Sequence, residues 1–553
     1  MTLQKQTKTA ALSLVGFFLL FSLAFIQTVG SYSQGTIESA GVLDDTFGNK
    51  GMVITRLSDG SWVGRGLAIQ SDGKLLVAGY TNHNISIRSD FVLLRYNTDG
   101  SVDTGFGENG KTLTDFFGSR DAASSLAVQS DGRILVAGTA STALPGSHSV
   151  FALARYDANG RLDSSFGSGG KVVTDSFGND EELNDMKIQR DGKVVLAGYS
   201  LSAGGEYNFA LARYSGDGSL DGGFGDGGKV IVRFAEAGSI AYGLAIQPDG
   251  KIIIAGHTLP VKSGFRNFAM ARLNTDGSLD VNFGENGRIT TDFFGYYSGA
   301  ITVAVQRDGR ILLAGWATTR NTNNNEIGLA RYLADGSLDS SFGTGGRVVT
   351  DFYGYPELAT SIAIQPDDRI VVSGMVLHSP SVETSDAFVV RYNSDGSLDS
   401  TFGEQGKLTT DFGTRWDVAS AVALQADGKI VTAGTGYYGF NLADIELARY
   451  NPGPYFALSL TPSVLTVDRG TRIKVSVNVI RAGGFTGAVT VVAPDTSGSE
   501  IKVSPEAIVS TGERATFRFK IKSSAKAGPV ELTFIGKDDS GRKHLLTITL
   551  IVR

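Results

Sequence analysis

The sequence predicts an all-β protein in which a seven-bladed β-propeller precedes an immunoglobulin-like β-sandwich. Three observations support this. A unit of 58 to 60 residues recurs seven times, each unit holds four short runs of β-type residues, and the repeat gives way after Arg449 to a different alternating pattern. The predicted domains are an export segment at 1–35, the propeller at 41–453 and the sandwich at 455–553.

The first 35 residues have the layout of a secretory signal peptide. Lys5 and Lys8 precede an apolar stretch at 10–26, and a polar segment with small residues follows at 27–35. The apolar stretch is also long enough for an uncleaved membrane anchor. Both alternatives predict export, so we expect the protein to be secreted or held at the cell surface.

Composition limits the classes of partner and the sources of stability. The chain has no cysteine, so an exported fold must be stabilised by burial and backbone pairing without disulfides. The net charge is -6 and the 50 basic residues form no run, which argues against nucleic-acid binding. The 72 glycines and 12 prolines favour a turn-rich repeat over a proline-rich linker.

Three anchors define the repeat. The Asp of a Gln-x-Asp-Gly phrase recurs at Asp72, Asp131, Asp191, Asp249, Asp308, Asp367 and Asp427. The Phe of Leu-Asp-x-x-Phe-Gly recurs at Phe47, Phe106, Phe166, Phe224, Phe283, Phe342 and Phe402. The Arg of Ala-Arg-Tyr recurs at Arg95, Arg155, Arg213, Arg272, Arg331, Arg391 and Arg449.

Each unit holds four predicted strands, which in the second unit are 111–115, 126–129, 133–137 and 151–156. They are separated by Asp-Gly, Asn-Gly and Gly-Gly turns, and nothing in the unit predicts a helix. Apolar runs such as Ile252 to Ile254 predict burial on both faces, as in a blade between two neighbours. The repeat phase predicts that Met52 to Arg56 supplies the outer strand of the last blade, so that the sheet edge is covered.

The phrases LAVQSDGRILVAG and FALARYDANGRLDSSFGSGGKVVTD resemble the delta-60 repeat family of bacterial exported proteins. The resemblance implies a propeller-type fold and no particular activity. The C-terminal part, with runs such as Arg472 to Ile480 and Arg514 to Ile521, resembles bacterial Ig-like accessory domains, which serve as spacers or adhesive modules.

Two recurrent motifs have structural interpretations. The Asp-Gly after Gln predicts a tight hairpin turn. The recurrent Arg lies on a strand predicted to be buried and needs a carboxylate nearby. The sequence predicts one structural ion pair per blade: Arg95 with Asp103, Arg155 with Asp163, Arg213 with Asp221, and their equivalents at Asp280, Asp339 and Asp399.

No cofactor is predicted. The segment Asn97 to Asp103 resembles a calcium loop, but its first ligand position becomes Ser215 and Leu333 in other units, so backbone capping by the Asp is the preferred interpretation and calcium the alternative. The histidines are too scattered along the chain to predict a zinc site: His83, His148, His257, His378 and His544.

The loops that follow the Ala-Gly and Thr-Asp-Phe phrases, after the third and first predicted strands of each unit, share one face and vary in length and content, as binding loops on a rigid scaffold do. We call this the variable-loop face. The sequence places candidate ligand-binding residues there: Trp62, Trp316, Trp416, Tyr297, Asp121, Glu181, Glu357 and Asp417. A rim of aromatics and carboxylates suits binding to sugars or to a protein, and the alternative is a set of ordinary solvated loops.

The sequence therefore favours a non-catalytic exported or cell-surface protein whose propeller recognises a glycan or a protein. The alternative is a glycan-active hydrolase or lyase that uses carboxylates such as Asp121, Glu181 or Asp417 at the mouth of the channel. No single unit carries an unusual set of polar residues, which weighs against the enzyme.

Overall fold

The computed structural model describes residues 43–553, apart from segments at 57–59, 83–87, 143–147, 176–179, 235–237, 260–264, 320–323, 353, 379–383, 440–441, 454, 461–463, 483–486, 498–499 and 540–542. The predicted export segment at 1–35 lies outside the described residues. The described part of the chain is all-β and contains no helix. Within it, no helix has the length and apolar character of a membrane span.

The strands follow one another in a regular order. β1 (Met52–Thr55) comes first, and the first blade holds β2 (Ser61–Ile69), β3 (Leu75–Asn82), β4 (Phe91–Tyr96) and β5 (Lys111–Thr114). The second and third blades hold β6 (Asp121–Val128), β7 (Ile134–Ser141), β8 (Ser149–Tyr156), β9 (Lys171–Thr174), β10 (Glu181–Ile188), β11 (Val194–Leu201), β12 (Tyr207–Tyr214) and β13 (Lys229–Val232). The fourth and fifth hold β14 (Ser239–Ile246), β15 (Ile252–Thr258), β16 (Phe268–Leu273), β17 (Arg288–Thr291), β18 (Ser298–Val305), β19 (Ile311–Thr318), β20 (Asn325–Tyr332) and β21 (Arg347–Thr350). The last two hold β22 (Glu357–Ile364), β23 (Ile370–Leu377), β24 (Ser385–Tyr392), β25 (Lys407–Thr410), β26 (Trp416–Leu424), β27 (Ile430–Gly439) and β28 (Leu442–Tyr450).

Each blade is an open antiparallel sheet whose four strands pair in chain order, with the short fourth strand at one edge. A single parallel bridge between Ser385 and Trp416 joins the sixth and seventh sheets. The strands predicted at 126–129, 133–137 and 151–156 are longer than the sequence predicts, since each extends toward the variable-loop face.

The two ends of the repeat region meet. β1 pairs antiparallel with β28, from Met52 opposite Ala448 to Thr55 opposite Ile445, as the repeat phase predicts. The first strand of each blade contacts the first strand of the next, and β26 contacts β2 in the same way. A hydrogen bond of 2.9 Å from Gly64 N–H to Thr435 Oγ1 links the first and last blades.

Apolar residues between adjacent blades form the propeller core. Phe91 and Leu93 of the first blade pack with Ile134 and Val136 of the second, and all four are at most 1 % exposed. Because each blade has a neighbour on both sides, its middle strands are buried along their whole length, as β4 and β16 show.

The recurrent Arg joins neighbouring blades. Arg155 Nε lies 2.9 Å from Asp163 Oδ2, its guanidinium lies 4.4 Å from the centre of the Phe166 ring, and its Nη1 donates to the carbonyl of Gly216 in the next blade. The same Arg–Asp contact is present at Arg95 with Asp103, Arg213 with Asp221, Arg272 with Asp280, Arg331 with Asp339, Arg391 with Asp399 and Arg449 with Asp44. A charged, stacked and hydrogen-bonded Arg thus explains two anchors of the repeat, the Arg itself and the Phe of Leu-Asp-x-x-Phe-Gly. The Asp of Gln-x-Asp-Gly instead caps its own turn, as Asp72 Oδ1 does by accepting the Lys74 N–H at 3.1 Å.

Each first strand carries a β-bulge near its middle, as at Tyr242 between Ala241 and Gly243. The bulge brings backbone close to the glycine of the Ala-Gly phrase on the second strand. A Cβ on Gly198, for example, would lie 1.9 Å from the carbonyl oxygen of Glu182. Only glycine fits there, and the unpaired bulge residue is free to turn its side chain away from the ladder.

The C-terminal residues form two sheets: β29 (Tyr455–Ser459), β31 (Arg472–Ala482), β35 (Arg514–Ile521) and β33 (Ile501–Ser504) in one, and β30 (Val464–Val467), β37 (Lys543–Val552), β36 (Gly528–Asp538), β32 (Val489–Val492) and β34 (Ala507–Ser510) in the other. Both contribute to one core, in which Val477 and Phe517 of the first sheet pack with Phe534 and Leu550 of the second.

Candidate functional site

The structure separates the aromatic residues that the sequence grouped on the variable-loop face. Tyr297 is 44 % exposed and packs edge-to-face with Phe265, their ring centres 5.0 Å apart. Trp416 is half-buried beneath the guanidinium of Arg415, at 4.6 Å. Trp62 and Trp316 are only 1 % and 8 % exposed.

The expectation that all three tryptophans stand on an accessible rim is therefore wrong for Trp62 and Trp316. Both lie inside strands, because β2 and β19 reach further than their apolar runs indicate. Trp62 packs with Val431 and Ile445 of the last blade, which makes it part of the core between the first and last blades.

The four aligned carboxylates are also buried rather than exposed at a rim. Asp121, Glu181, Glu357 and Asp417 are at most 1 % exposed and lie at the beginning of the first strands of their blades. Asp121 Oδ2 and Asp417 Oδ2 each accept a backbone N–H at 2.7 Å, from the Phe of the preceding Thr-Asp-Phe loop. These side chains cap loops, and without exposed surface they cannot touch a substrate as the enzyme alternative requires.

Burial makes Glu357 a pH-sensitive position. Burial raises its pKa to about 8, with a contribution from Asp351 and Glu326, while the Phe352 N–H and Lys407 oppose the shift. A carboxyl whose pKa is raised in the folded state favours folding while protonated, and that advantage is lost as the pH rises from the unfolded pKa near 4 to the folded pKa near 8.

We therefore expect Glu357 to lower the free energy of unfolding by on the order of 3 kcal/mol between pH 4.5 and pH 8. The measurement is urea unfolding at several pH values, in EDTA, of the wild type and of Glu357→Gln. The amide keeps the bond to Phe352 N–H but cannot ionise, so the variant should lose less stability over this range. Parallel pH profiles for the two proteins would contradict the assignment.

A second group of polar and aromatic residues lies on the first and second strands of the blades, around the propeller axis. We call Arg65, Glu182, Tyr199, Tyr242 and His257 the axial cluster. Tyr199 Oη donates a hydrogen bond to Glu182 Oε2. The rings of Tyr242 and His257 stack with centres 5.5 Å apart.

The cluster connects blades that are not neighbours in the ring. Arg65 of the first blade interacts electrostatically with Glu182 of the third, and Glu182 with Tyr242 of the fourth. Tyr80 and Tyr437 continue the group around Arg65, whose guanidinium lies 6.0 Å from the Tyr80 ring centre. These residues come together because they lie on the first strands of their blades or on the second strands that pair with them.

The axial cluster holds one fixed positive charge beside groups that resist ionisation. Burial lowers the pKa of Arg65, but Tyr80 and Tyr437 outweigh it and the net pKa is raised, so the guanidinium stays charged. Burial raises the pKa of Glu182 against the opposing hydrogen bond from Tyr199. Burial, with Arg266, lowers the pKa of His257 to about 3, and neither ring nitrogen has a hydrogen-bond partner.

The sequence analysis missed this cluster because it looked for an unusual combination of polar residues within a single unit. The residues of the axial cluster come from different units. The signal available in the sequence was an unusual residue type at one aligned position of the repeat, the bulge residue of the first strand. The bulge residues are Arg65, Ser124, Asn184, Tyr242, Ile301, Thr360 and Ser420, and all seven are half-buried. Arg65 and Tyr242 are the two large polar side chains among them.

The segment Asn97 to Asp103 uses its carboxylates internally. Asp99 Oδ1 accepts hydrogen bonds from Ser101 N–H at 2.9 Å and Ser101 Oγ at 2.7 Å. Asp103 Oδ2 lies 2.7 Å from Arg95 Nε and 2.8 Å from Lys74 Nζ.

Seven segments of the chain match a family described as a β-propeller domain of unknown function (DUF5122). They are residues 70–106, 129–166, 189–224, 247–283, 306–342, 365–402 and 425–453. The chain is a β-propeller repeat protein. Each matched segment begins at the Gln of Gln-x-Asp-Gly, and the first six end at or near the Phe beneath the paired Arg, so the match coincides with the blade repeat.

Solved structures with a similar arrangement include a catalytically inactive virginiamycin B lyase from Staphylococcus aureus, with 11 % identity, a TM-score of 0.41 and coverage of 72 % of this chain and 98 % of that one. A polysaccharide lyase acting on ulvan has 12 % identity, a TM-score of 0.41 and coverage of 71 % and 95 %. An endo-arabinase from Bacteroides thetaiotaomicron has 13 % identity, a TM-score of 0.29 and coverage of 54 % and 95 %. The comparison with curated proteins gives no match.

Proposed function

We propose that this β-propeller repeat protein is a non-catalytic, exported binding protein that recognises a carbohydrate through its axial cluster. The observation that carries the proposal is the presence of Arg65, Glu182 and Tyr242 at positions where the other blades have uncharged, non-aromatic residues, such as Ser124 and Ala122. A purely structural position in a repeat needs no such one-off change.

The chemistry of the axial cluster suits a sugar. The half-buried rings of Tyr80, Tyr242 and Tyr437 offer faces for stacking against a pyranose, while the half-buried Arg65 and Glu182 offer donors and acceptors for hydroxyl groups. Tyr199 is only 5 % exposed and orients Glu182 through its hydrogen bond. The residues belong to strands rather than to loops, so they are held in place before a ligand arrives, which reduces the entropy lost on binding.

Export and the role of the C-terminal sheets belong to the same proposal. The predicted signal segment at 1–35 supports export. The split into a four-stranded and a five-stranded sheet, with β30 parallel to β37 at one edge, supports an immunoglobulin-like spacer.

Fluorescence of the full chain, titrated with neutral and acidic polysaccharides, tests the proposal. Trp316 is the expected reporter, since its ring lies 6.4 Å from that of His257. We expect a saturable change with one class of polysaccharide, lost as a signal in Trp316→Phe, and at least tenfold weaker binding in Arg65→Met, about 1.4 kcal/mol.

Arg161→Met is the matched control, because Arg161 is exposed in a loop on the opposite face. It should bind as the wild type does. No binding to any polysaccharide, or equal affinity for wild type and Arg65→Met, would refute the proposal.

One observation favours a glycan-active hydrolase or lyase as a second candidate. Glu182 has a raised pKa and a hydrogen bond from Tyr199, and Arg65 lies close by, so the axial cluster contains a group able to transfer a proton beside a fixed cation. Release of new reducing or unsaturated ends by the wild type, abolished in Glu182→Gln, would establish this candidate. A binding protein should release none.

A further inference from the structure

Three carboxylates meet at the junction between the first and second blades, on the variable-loop face. Asp90 directly precedes β4, Asp115 directly follows β5 and Asp121 begins β6. One oxygen from each lies within 4.8 Å of the others. The same three repeat positions bring Asp386, Asp411 and Asp417 together, with the same spacing limit, at the junction of the sixth and seventh blades.

The first group contains a buried carboxylate oxygen that no protein group satisfies, and another such carboxylate lies beside the second group. Asp121 is fully buried, and while its Oδ2 accepts the Phe116 N–H, its Oδ1 has no hydrogen-bond partner. Beside the second group, Glu446 is 2 % exposed, interacts electrostatically with Asp417 and Asp411, and has no partner for either oxygen. Buried acceptors without donors are costly.

The basic groups nearest to these acids do not fill the gap between the carboxylates. Lys171 Nζ binds the backbone carbonyl of Asp115 at 2.9 Å rather than a carboxylate. His378 Nε2 lies 2.7 Å from Asp386 Oδ2 and reaches one member of the second group.

At two other blade junctions the three aligned positions do not all hold acids, and a basic side chain lies among them. Between the last and first blades, Asp444 takes the position of Asp90, Arg56 that of Asp115 and Trp62 that of Asp121. Arg56 Nε lies 2.9 Å from Asp444 Oδ2, so a positive side chain fills the junction. Between the third and fourth blades the equivalents are Asn208, Arg233 and Ser239, again with an Arg at the middle position.

We propose that the Asp90–Asp115–Asp121 and Asp386–Asp411–Asp417 groups each bind a calcium ion. Calcium takes six to eight oxygen ligands at about 2.3–2.6 Å in a flexible geometry, so ligands on opposite sides of the ion are about 4.8 Å apart. Carboxylate oxygens separated by up to 4.8 Å fit around such an ion, and carbonyls and water can complete its shell. The ions tie the loops of the variable-loop face to the strands of two adjacent blades.

The test is calorimetric titration of the EDTA-stripped full chain with calcium chloride, together with thermal unfolding at each calcium concentration. We expect two ions per chain, with dissociation constants on the order of 10⁻⁴ M and an unfolding temperature that rises with calcium. Asp115→Asn and Asp411→Asn alter exposed members of the groups, and each should reduce the stoichiometry to one.

Asp292→Asn is the matched control. Asp292 occupies the position of Asp115 at the junction of the fourth and fifth blades, where its companions are Asn267 and Ser298 and no acidic group forms. This variant should still bind two ions. Absence of binding heat and of any calcium-dependent rise in unfolding temperature, or wild-type stoichiometry in both Asp115→Asn and Asp411→Asn, would overturn the proposal.

Discussion

Removal of residues 41–57 is expected to abolish the single cooperative unfolding transition of the propeller. The deletion removes β1, which forms the outer strand of the last blade, and leaves β28 with an unpaired edge. It also removes Asp44, the partner of Arg449 at 2.7 Å, and Phe47, which is fully buried beneath that Arg. Calorimetry and far-UV circular dichroism measure the loss.

A point substitution distinguishes the contribution of ring closure to stability from the effect of shortening the chain. Phe47→Ala should destabilise the propeller by about 3–5 kcal/mol, since it empties a buried aromatic site between the first and last blades. Phe117→Ala is the control, because Phe117 is 38 % exposed and should change stability little. A truncated chain that melts like the wild type would show that β1 contributes nothing to closure.

Asp399→Asn should be the most destabilising single charge removal in the repeat. Asp399 Oδ2 lies 2.8 Å from Arg391 Nε and 3.0 Å from Arg369 Nη1, and both arginines are buried. Burial opposes ionisation of Asp399, but Thr401 and Arg391 hold its pKa at about 2. Removing the anion leaves the buried Arg391 without a carboxylate, at a cost of about 3–5 kcal/mol, while Arg369 keeps Asp367 at 2.6 Å.

The control for Asp399→Asn is Asp131→Asn. Asp131 lies 3.6 Å from Arg133 with about half of each side chain exposed, and such surface pairs contribute about 0–1 kcal/mol. Urea unfolding of both variants gives the comparison. If Asp399→Asn costs no more than Asp131→Asn, the buried network is not what stabilises the blade.

The Arg–Asp contacts could be predicted from the sequence because both partners recur with the unit and a buried guanidinium requires a carboxylate. The seventh partner, Asp44, precedes the first unit and is found only when the two ends of the repeat meet. The second cation on each Asp was also missed. It follows the Asp-Gly turn, as Lys193 does 2.9 Å from Asp221, and is brought close only by the folded hairpin.

The candidate site was harder to predict, because the position of a residue in the repeat does not show how deeply its side chain is buried. Trp62 and Asp121 share one aligned position that lies inside a strand, so the structure buries both where a loop was expected. The contact of Arg65 with Glu182 joins blades one and three, a proximity that only closure around an axis creates. The signal that could have predicted this site was a residue type at the bulge position that differs from those of the other blades.

The central claim is that the repeat builds the scaffold and that departures from it around the axis build the binding site. Replacing Arg65 by Ser, Glu182 by Ala and Tyr242 by Ser gives the axial cluster the residue types of other blades, as at Ser124 and Ala122. The most direct measurement is the affinity of this triple variant, beside its melting curve, for the polysaccharide that the wild type binds. We predict a cooperative melt like that of the wild type and no binding. Binding with wild-type affinity would contradict the claim.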